Sequence, residues 1–187
     1  MTSDFSLRLV DRDSVDFPTV GYDFKLGFDR RFEENPNVMH WVNNLDLLRN
    51  GWKTAVCYDP SGRPVAGLLV DETHENERQA KAWWADPNEK GAGRRALTLT
   101  KLAYARIDTT PKKWVAFTRI LRDGRINPSP AGALRSLQFR PYRVHTLEVI
   151  GTHSDVHLVS DLDPDGRYRA LEWVSPDAVS QAGLGGC

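Results

Sequence analysis

Cysteine is nearly absent from the 187 residues: Cys57 and Cys187 are the only two. Two are too few for a disulfide framework or a cysteine-based metal cluster. No apolar run approaches the roughly 20 residues that span a bilayer, and Met1-Thr2-Ser3-Asp4 lacks the basic start and apolar stretch of a secretory signal. Neither Gly-x-x-x-x-Gly-Lys-Ser/Thr nor Gly-x-Gly-x-x-Gly occurs, which removes the usual loops for nucleoside triphosphates and dinucleotides. The five histidines (40, 74, 145, 153 and 157) have no Cys-x-x-Cys partner and no His-Glu-x-x-His spacing, so no metal is expected. His153-Ser-Asp155-Val-His157 reads instead as an edge-strand surface. These absences leave a reduced, soluble protein, expected in the cytoplasm and without a membrane partner.

What is present supports a packed domain. Hydrophobic residues make up 40% of the chain, with 6 Trp, 5 Tyr and 7 Phe, enough to fill a core. The length fits one domain covering 1–187. The zero net charge conceals a segregation. Between Lys90 and Arg143 there are 13 Lys and Arg against two acids, Asp108 and Asp123, a balance of +11 offset by −11 elsewhere. Such a window is suited to a polyanion, either the phosphates of a cofactor or a nucleic-acid backbone.

Residue periodicity predicts a mixed α/β order. Phe5 to Val10 alternates like a strand, and Asp11 to Pro18 breaks it. Helical spacing runs in two pieces from Phe28 to Asn50, divided by Asn35-Pro36-Asn37, with Val38, Trp41, Val42, Leu45 and Leu48 on one face of the second. Trp52–Tyr58 and Pro64–Val70 form a hairpin about Asp59-Pro60-Ser61-Gly62. A charged loop, a strand over 80–85, Gly91-Ala92-Gly93 and a helix over 94–107 follow. A strand over 114–121, a short helix over 131–137 and strands over 142–150, 156–162 and 168–174 complete the chain. Asp163-Pro164-Asp165-Gly166 joins the last two strands as a hairpin.

The strand, glycine turn and helix over 80–107 have a chemical use. A helix N-terminus presents unpaired N–H groups, glycine lets phosphate approach the backbone, and Lys90, Arg94 and Arg95 add charge. Asp86-Pro-Asn-Glu-Lys90-Gly91-Ala92-Gly93-Arg94-Arg95 resembles the coenzyme A loop of the GNAT N-acetyltransferases, Gln/Arg-x-x-Gly-x-Gly/Ala. Lys90 falls at the first position, Gly93 at the glycine and Arg95 at the Gly/Ala. Asn127 to Phe139 is similar to the family's Asn-x-x-x-x-x-x-Tyr-x-x-x-Gly-Phe, with Leu134 at the tyrosine and Gln138 at the glycine.

The resemblance implies a mixed, mostly antiparallel sheet flanked by helices over about 5–150. An extra C-terminal β-hairpin and tail fill 151–187. It also implies an acyl-coenzyme A donor, acetyl-CoA or another acyl-CoA, and an amine acceptor. Trp84 or Ala85 would offer the backbone N–H that holds the thioester. Lys90, Gly91, Ala92, Gly93, Arg94, Arg95 and Asn127 would complete the cofactor-binding set.

The family's tyrosine often protonates the departing thiolate, which Leu134 cannot do. Acyl transfer needs a base for the amine and a proton for the thiolate. Glu72 or His74, at the open end of the hairpin, are the candidate bases, and Tyr142 the substitute donor. Two alternatives stay open. Trp83, Trp84, Tyr104, Trp114, Phe117, Phe139 and Tyr142 interleave with the basic residues, a composition suited to holding a nucleobase and its phosphates. The chain would then modify DNA or RNA, as the GNAT-like Mom proteins of bacteriophages modify DNA. Leu134 also fits a catalytically inactive binding module.

Overall fold

The computed structural model describes residues 5–34, 47–108, 110–120, 123–126, 128–148 and 167–175. Strand β1 (Ser6–Asp11) leads into helix α1 (Phe17–Glu34). Strands β2 (Trp52–Tyr58), β3 (Pro64–Asp71) and β4 (Glu77–Ala85) follow, then helix α2 (Ala92–Ile107). Strand β5 (Lys113–Ile120), helix α3 (Pro128–Ser136), and strands β6 (Arg140–Glu148) and β7 (Arg167–Val174) complete the order.

The strands form one sheet in the order β1-β2-β3-β4-β5-β7-β6. Every neighbouring pair is antiparallel except β4–β5. The mixed, mostly antiparallel sheet flanked by helices is therefore as expected. Of the C-terminal hairpin, residues 156–162 and the turn 163–166 lie outside the described residues. Its last strand, β7, is inserted between β5 and β6.

Helix α1 begins eleven residues before the helical spacing was expected to start. Pro18 is its second residue, where a missing N–H costs nothing. Val20, Phe24 and Phe28, spaced by four, form its buried stripe. Most of the second helical piece expected over 38–48 lies outside the described residues, although Leu47 is buried in the same cluster.

The two faces of the sheet carry separate cores. Val56, Leu69, Ala82 and Trp84 meet α1. Ala55, Leu68, Val70, Trp114, Ala116, Leu171 and Trp173 meet α2 and α3 through Leu97, Tyr104 and Leu134. Trp173 is buried at the centre of this second core, where its Nε1–H donates to Thr118 Oγ1 at 2.7 Å. Burying the indole therefore leaves no donor unsatisfied.

Candidate functional site

The site begins with a fault in the sheet. Leu69 pairs with Ala82 and Val70 with Ala80, so Lys81 is a β-bulge residue with no partner in β3. At the same point β4 leaves β5. Their parallel pairing covers Glu77–Ala80 against Lys113–Ala116 and goes no further. From there β4 stays on β3 as far as Ala85, while β5 stays on β7 as far as Ile120. The edge of 81–85 that turns away from β3 thus has no strand partner among the described residues, and across the gap the end of β5 is met by the isolated bridge of Ile120 with Ile126. A wedge of this kind presents donors and acceptors at strand spacing to an extended, amide-bearing ligand.

Trp84 and Ala85 lie on this edge, but their side chains serve packing. Trp84 is buried, and its indole fills the space beside Gly27 and Gly67. Ala85 packs with Cys57, Val65, Ala66, Ala92 and Ala96. What either residue offers a ligand is backbone.

The wedge opens toward the N-terminus of α2, which starts at Ala92, two residues before the expected start. Asp86 organises the loop by accepting the Asn88 N–H at 2.9 Å. Gly91 at the N-cap has φ 79, a left-handed conformation that glycine adopts freely, and no side chain caps the helix. The Ala92 N–H donates to Glu89 O and the Arg95 N–H to Gly91 O. Among the described hydrogen bonds, none uses the N–H groups of Gly93 and Arg94, and the first turn holds no acid. A hollow of about 250 Å³ lies over this end, lined by Lys90, Gly91, Arg94, Arg95, Thr98 and Leu99.

Arg95 is held to one side. Its guanidinium lies 3.6 Å from the Phe5 ring centroid and its Nη1 3.5 Å from Glu89 Oε1. A bulky residue at this position therefore does not block the helix end. Lys90 and Arg94 are exposed beside it, and Ala92 is buried, so it contributes its backbone alone.

Glu72 and His74 stand near the closed end of the wedge, roughly 25 Å from the α2 loop at 3.3 Å per strand residue. Asp71 pairs with Gln79 there and is buried. Its Oδ1 accepts Thr73 N–H and Oγ–H, and its Oδ2 lies 3.4 Å from His74 Nε2 and 3.9 Å from Lys81 Nζ. Burial pushes the Lys81 amine below its usual range, against the pull of Asp71. Glu72 is already engaged, 3.3 Å from Lys53 Nζ and 3.6 Å from the buried Arg78 Nε. The Tyr104 hydroxyl is buried close to Glu72, and burial and that charge push its pKa far up.

Tyr142 is a bulge residue on the edge strand β6, exposed, with β5 and β7 between it and β4. Asn127 lies outside the described residues. Leu134 is fully buried in the α2–α3 core. Gln138 has φ 63, the left-handed conformation for which the family uses glycine.

Sequence reasoning missed Asp71 and Lys81, and also a set formed by Arg143, His145 and Glu172 on the α1 face. No local pattern marks these residues, because strand pairing alone brings them together. Among the described residues no three His, Cys, Asp or Glu could hold a metal, and no helix is long and apolar enough to cross a membrane.

The parallel break in an antiparallel sheet, closed at the bulge and facing a glycine-led helix end, is the fold of the GNAT acetyltransferases. An N-acetyltransferase from Staphylococcus aureus Mu50 superimposes with a TM-score of 0.61 over 92% of this chain and 97% of its own, at 11% identity. The ribosomal-protein-S5-alanine acetyltransferase of Vibrio fischeri gives 0.58 over 94% and 95%, at 10% identity. YncA of Salmonella typhimurium, solved with its cofactor acetyl-CoA, gives 0.55 over 91% and 92%, at 13% identity. No protein-family model and no curated protein matches the sequence.

Proposed function

We propose that the protein is an acyl-coenzyme A-dependent N-acyltransferase acting on an amine. The observation that carries this reading is the junction of the β4–β5 wedge with the uncapped N-terminus of α2. An acyl-CoA has phosphates at one end and an extended amide chain ending in a thioester at the other. The α2 N–H groups with Lys90 and Arg94 suit the phosphates, by dipole and by charge. The unpaired edge at 81–85 suits the amides, with the backbone of Trp84 and Ala85 on that edge. Bound acyl-CoA supplies a thioester carbonyl for attack by the acceptor.

The chain's own contribution is to orient that donor and to accept the acceptor's proton. Titratable groups near the closed end, His74 with Asp71 among them, have the required chemistry. Leu134 lies in the core, so the thiolate takes its proton from elsewhere, with exposed Tyr142 or water as the sources in this reading. The test is thiol release from acetyl-CoA across a panel of amines, with products identified by mass. A new amide on one amine class is expected. No acylated product with acetyl-, propionyl- or succinyl-CoA would overturn the reading.

A second reading draws on charge. Lys90, Arg94, Arg106, Arg125 and Arg140 are exposed in the basic window, a surface suited to a nucleic-acid backbone. In this reading the acceptor amine belongs to a base of DNA or RNA. Gel shifts over a salt series would detect binding that weakens steeply with salt, and none at low salt would remove the reading.

A further inference from the structure

A second carboxylate–imidazole pair stands on the α1 face of the sheet, away from Asp71 and His74. Its centre is Glu172 of β7, which pairs with Phe117 of β5 on one side and Arg143 of β6 on the other. Paired residues point to the same face, so Phe117, Glu172 and Arg143 share one surface with His145, two residues along β6. Glu172 is 3% exposed. Its Oε2 accepts from Arg143 Nε at 2.7 Å and lies 2.5 Å from His145 Nε2.

Burial alone would raise the Glu172 carboxyl, but the hydrogen bonds from Arg143 and His145 outweigh it and hold it below the usual carboxylate range. An ionised carboxylate only accepts. Arg143 Nε also lies 3.1 Å from His145 Nε2. With the Arg143 N–H given to the nearer Oε2, the neutral imidazole that gives its own proton to Glu172 carries it on Nε2 and keeps a lone pair on Nδ1. This ring also stands edge-on to Phe117, with centroids 5.5 Å apart. Phe117 is the first β5 residue past the last β4–β5 pair, Ala80 with Ala116. The imidazole is thus fixed by two contacts, one aromatic ring away from the closed end of the wedge, with its side chain still 24% exposed. Nearby charges are balanced: Arg143 also feels Glu77 of β4, which pairs with Lys113 at 3.5 Å.

We propose that Nδ1 of His145 is the general base that takes the proton of the acceptor amine, with Glu172 as its positioning residue. The proposal rests on the acyl-CoA reading, which brings a thioester to the closed end of the wedge. As the N–C bond to the acyl carbon forms, the proton passes from nitrogen to Nδ1 and the electron pair of the breaking C–S bond leaves with sulfur. His74 is the rival for this role. Its carboxylate partner is farther, at 3.4 Å, and that oxygen also faces Lys81. A base held in one tautomer and one orientation by a buried carboxylate is the better prepared of the two.

Three measurements separate the outcomes. Calorimetry with acetyl-CoA on wild type, His145→Gln, Glu172→Gln and His74→Gln tests the underlying reading and the fold together. Equal affinities within about twofold are expected, and no binding by wild type would remove the reading itself. Thiol release from acetyl-CoA is then followed against pH, with spermidine and with water alone as acceptors. His145→Gln should fall at least about 100-fold, the lower end of general-base contributions, and lose the acidic limb of the profile. Glu172→Gln should fall about tenfold and displace that limb. A His145→Gln rate and limb like wild type, a larger loss in His74→Gln, or a wild type that binds acetyl-CoA but releases no thiol would each overturn the proposal. Nitrogen NMR of the imidazoles needs no acceptor: a bare Nδ1 at His145 is expected at pH 8, and an Nδ1–H tautomer would overturn the proposal independently.

Discussion

Gly67 and Trp84 face each other across β3 and β4, and a Cβ built on Gly67 would stand 2.3 Å from the indole Nε1. Gly27 on α1 closes the other side, where a Cβ would stand 2.2 Å from the same ring. The Trp84 side chain therefore occupies a slot defined by two missing methyl groups, and this slot sets how α1 lies on the strand that bounds the wedge. Gly67→Ala is predicted to cost about 1–3 kcal/mol through overpacking. The double variant Gly67→Ala/Trp84→Leu should cost less than the sum of the two single changes. Urea unfolding of the four proteins measures the coupling, expected at about 0.5–3 kcal/mol.

Gln138 gives a prediction of opposite sign. The end of α3 is a Schellman motif, with Phe139 N–H bonded to Leu134 O and Gln138 N–H to Arg135 O. Gln138 holds the left-handed position at φ 63. Relief of that conformation makes Gln138→Gly stabilising by up to about 1 kcal/mol, seen as a rise in the urea midpoint without a change in slope.

Cys57 ties stability to alkaline pH. It is fully buried, and burial, outweighing the nearby Arg95, pushes its thiol up to about 11 from 9.0. The folded state binds this proton more tightly than the unfolded state does, so stability is intact below about pH 9 and falls as pH rises toward 11. The slope contributed approaches about 1.4 kcal/mol per pH unit. Cys57→Val should flatten the stability profile in that window relative to wild type.

Much of the sheet was legible in the sequence because its strands are short alternating or apolar runs closed by clear turns. Asp59 to Gly62 is the plainest: Gly62 has φ 83 and its N–H bonds Asp59 O. Helix α1 was hidden because Asp11 to Pro18 read as a break, whereas Pro18 sits in the first turn of the helix and Gly27 within it makes room for Trp84. The glycine loop before α2 was readable because its residues are consecutive. The wedge was not, since it depends on β4 exchanging one neighbour for none after Ala80. His145 and Glu172 are 27 residues apart and meet only through the pairing of β6 with β7.

Side chains around α2 should divide by their partners. Lys90→Ala and Arg94→Ala are predicted to weaken acetyl-CoA binding by about tenfold each, near 1.4 kcal/mol, with a weaker salt dependence than wild type. Arg95→Ala should affect affinity less and stability more, because its guanidinium is stacked on Phe5 and paired with Glu89. Affinity at two salt concentrations and a thermal melt distinguish the two behaviours.

Calorimetry of the full chain with acetyl-CoA asks whether the wedge and the α2 end together bind an acyl-CoA. One site per chain with micromolar affinity, lost in Lys90→Ala/Arg94→Ala, is the predicted result. No heat with acetyl-, propionyl- or succinyl-CoA, or equal affinity in the double variant, would contradict it.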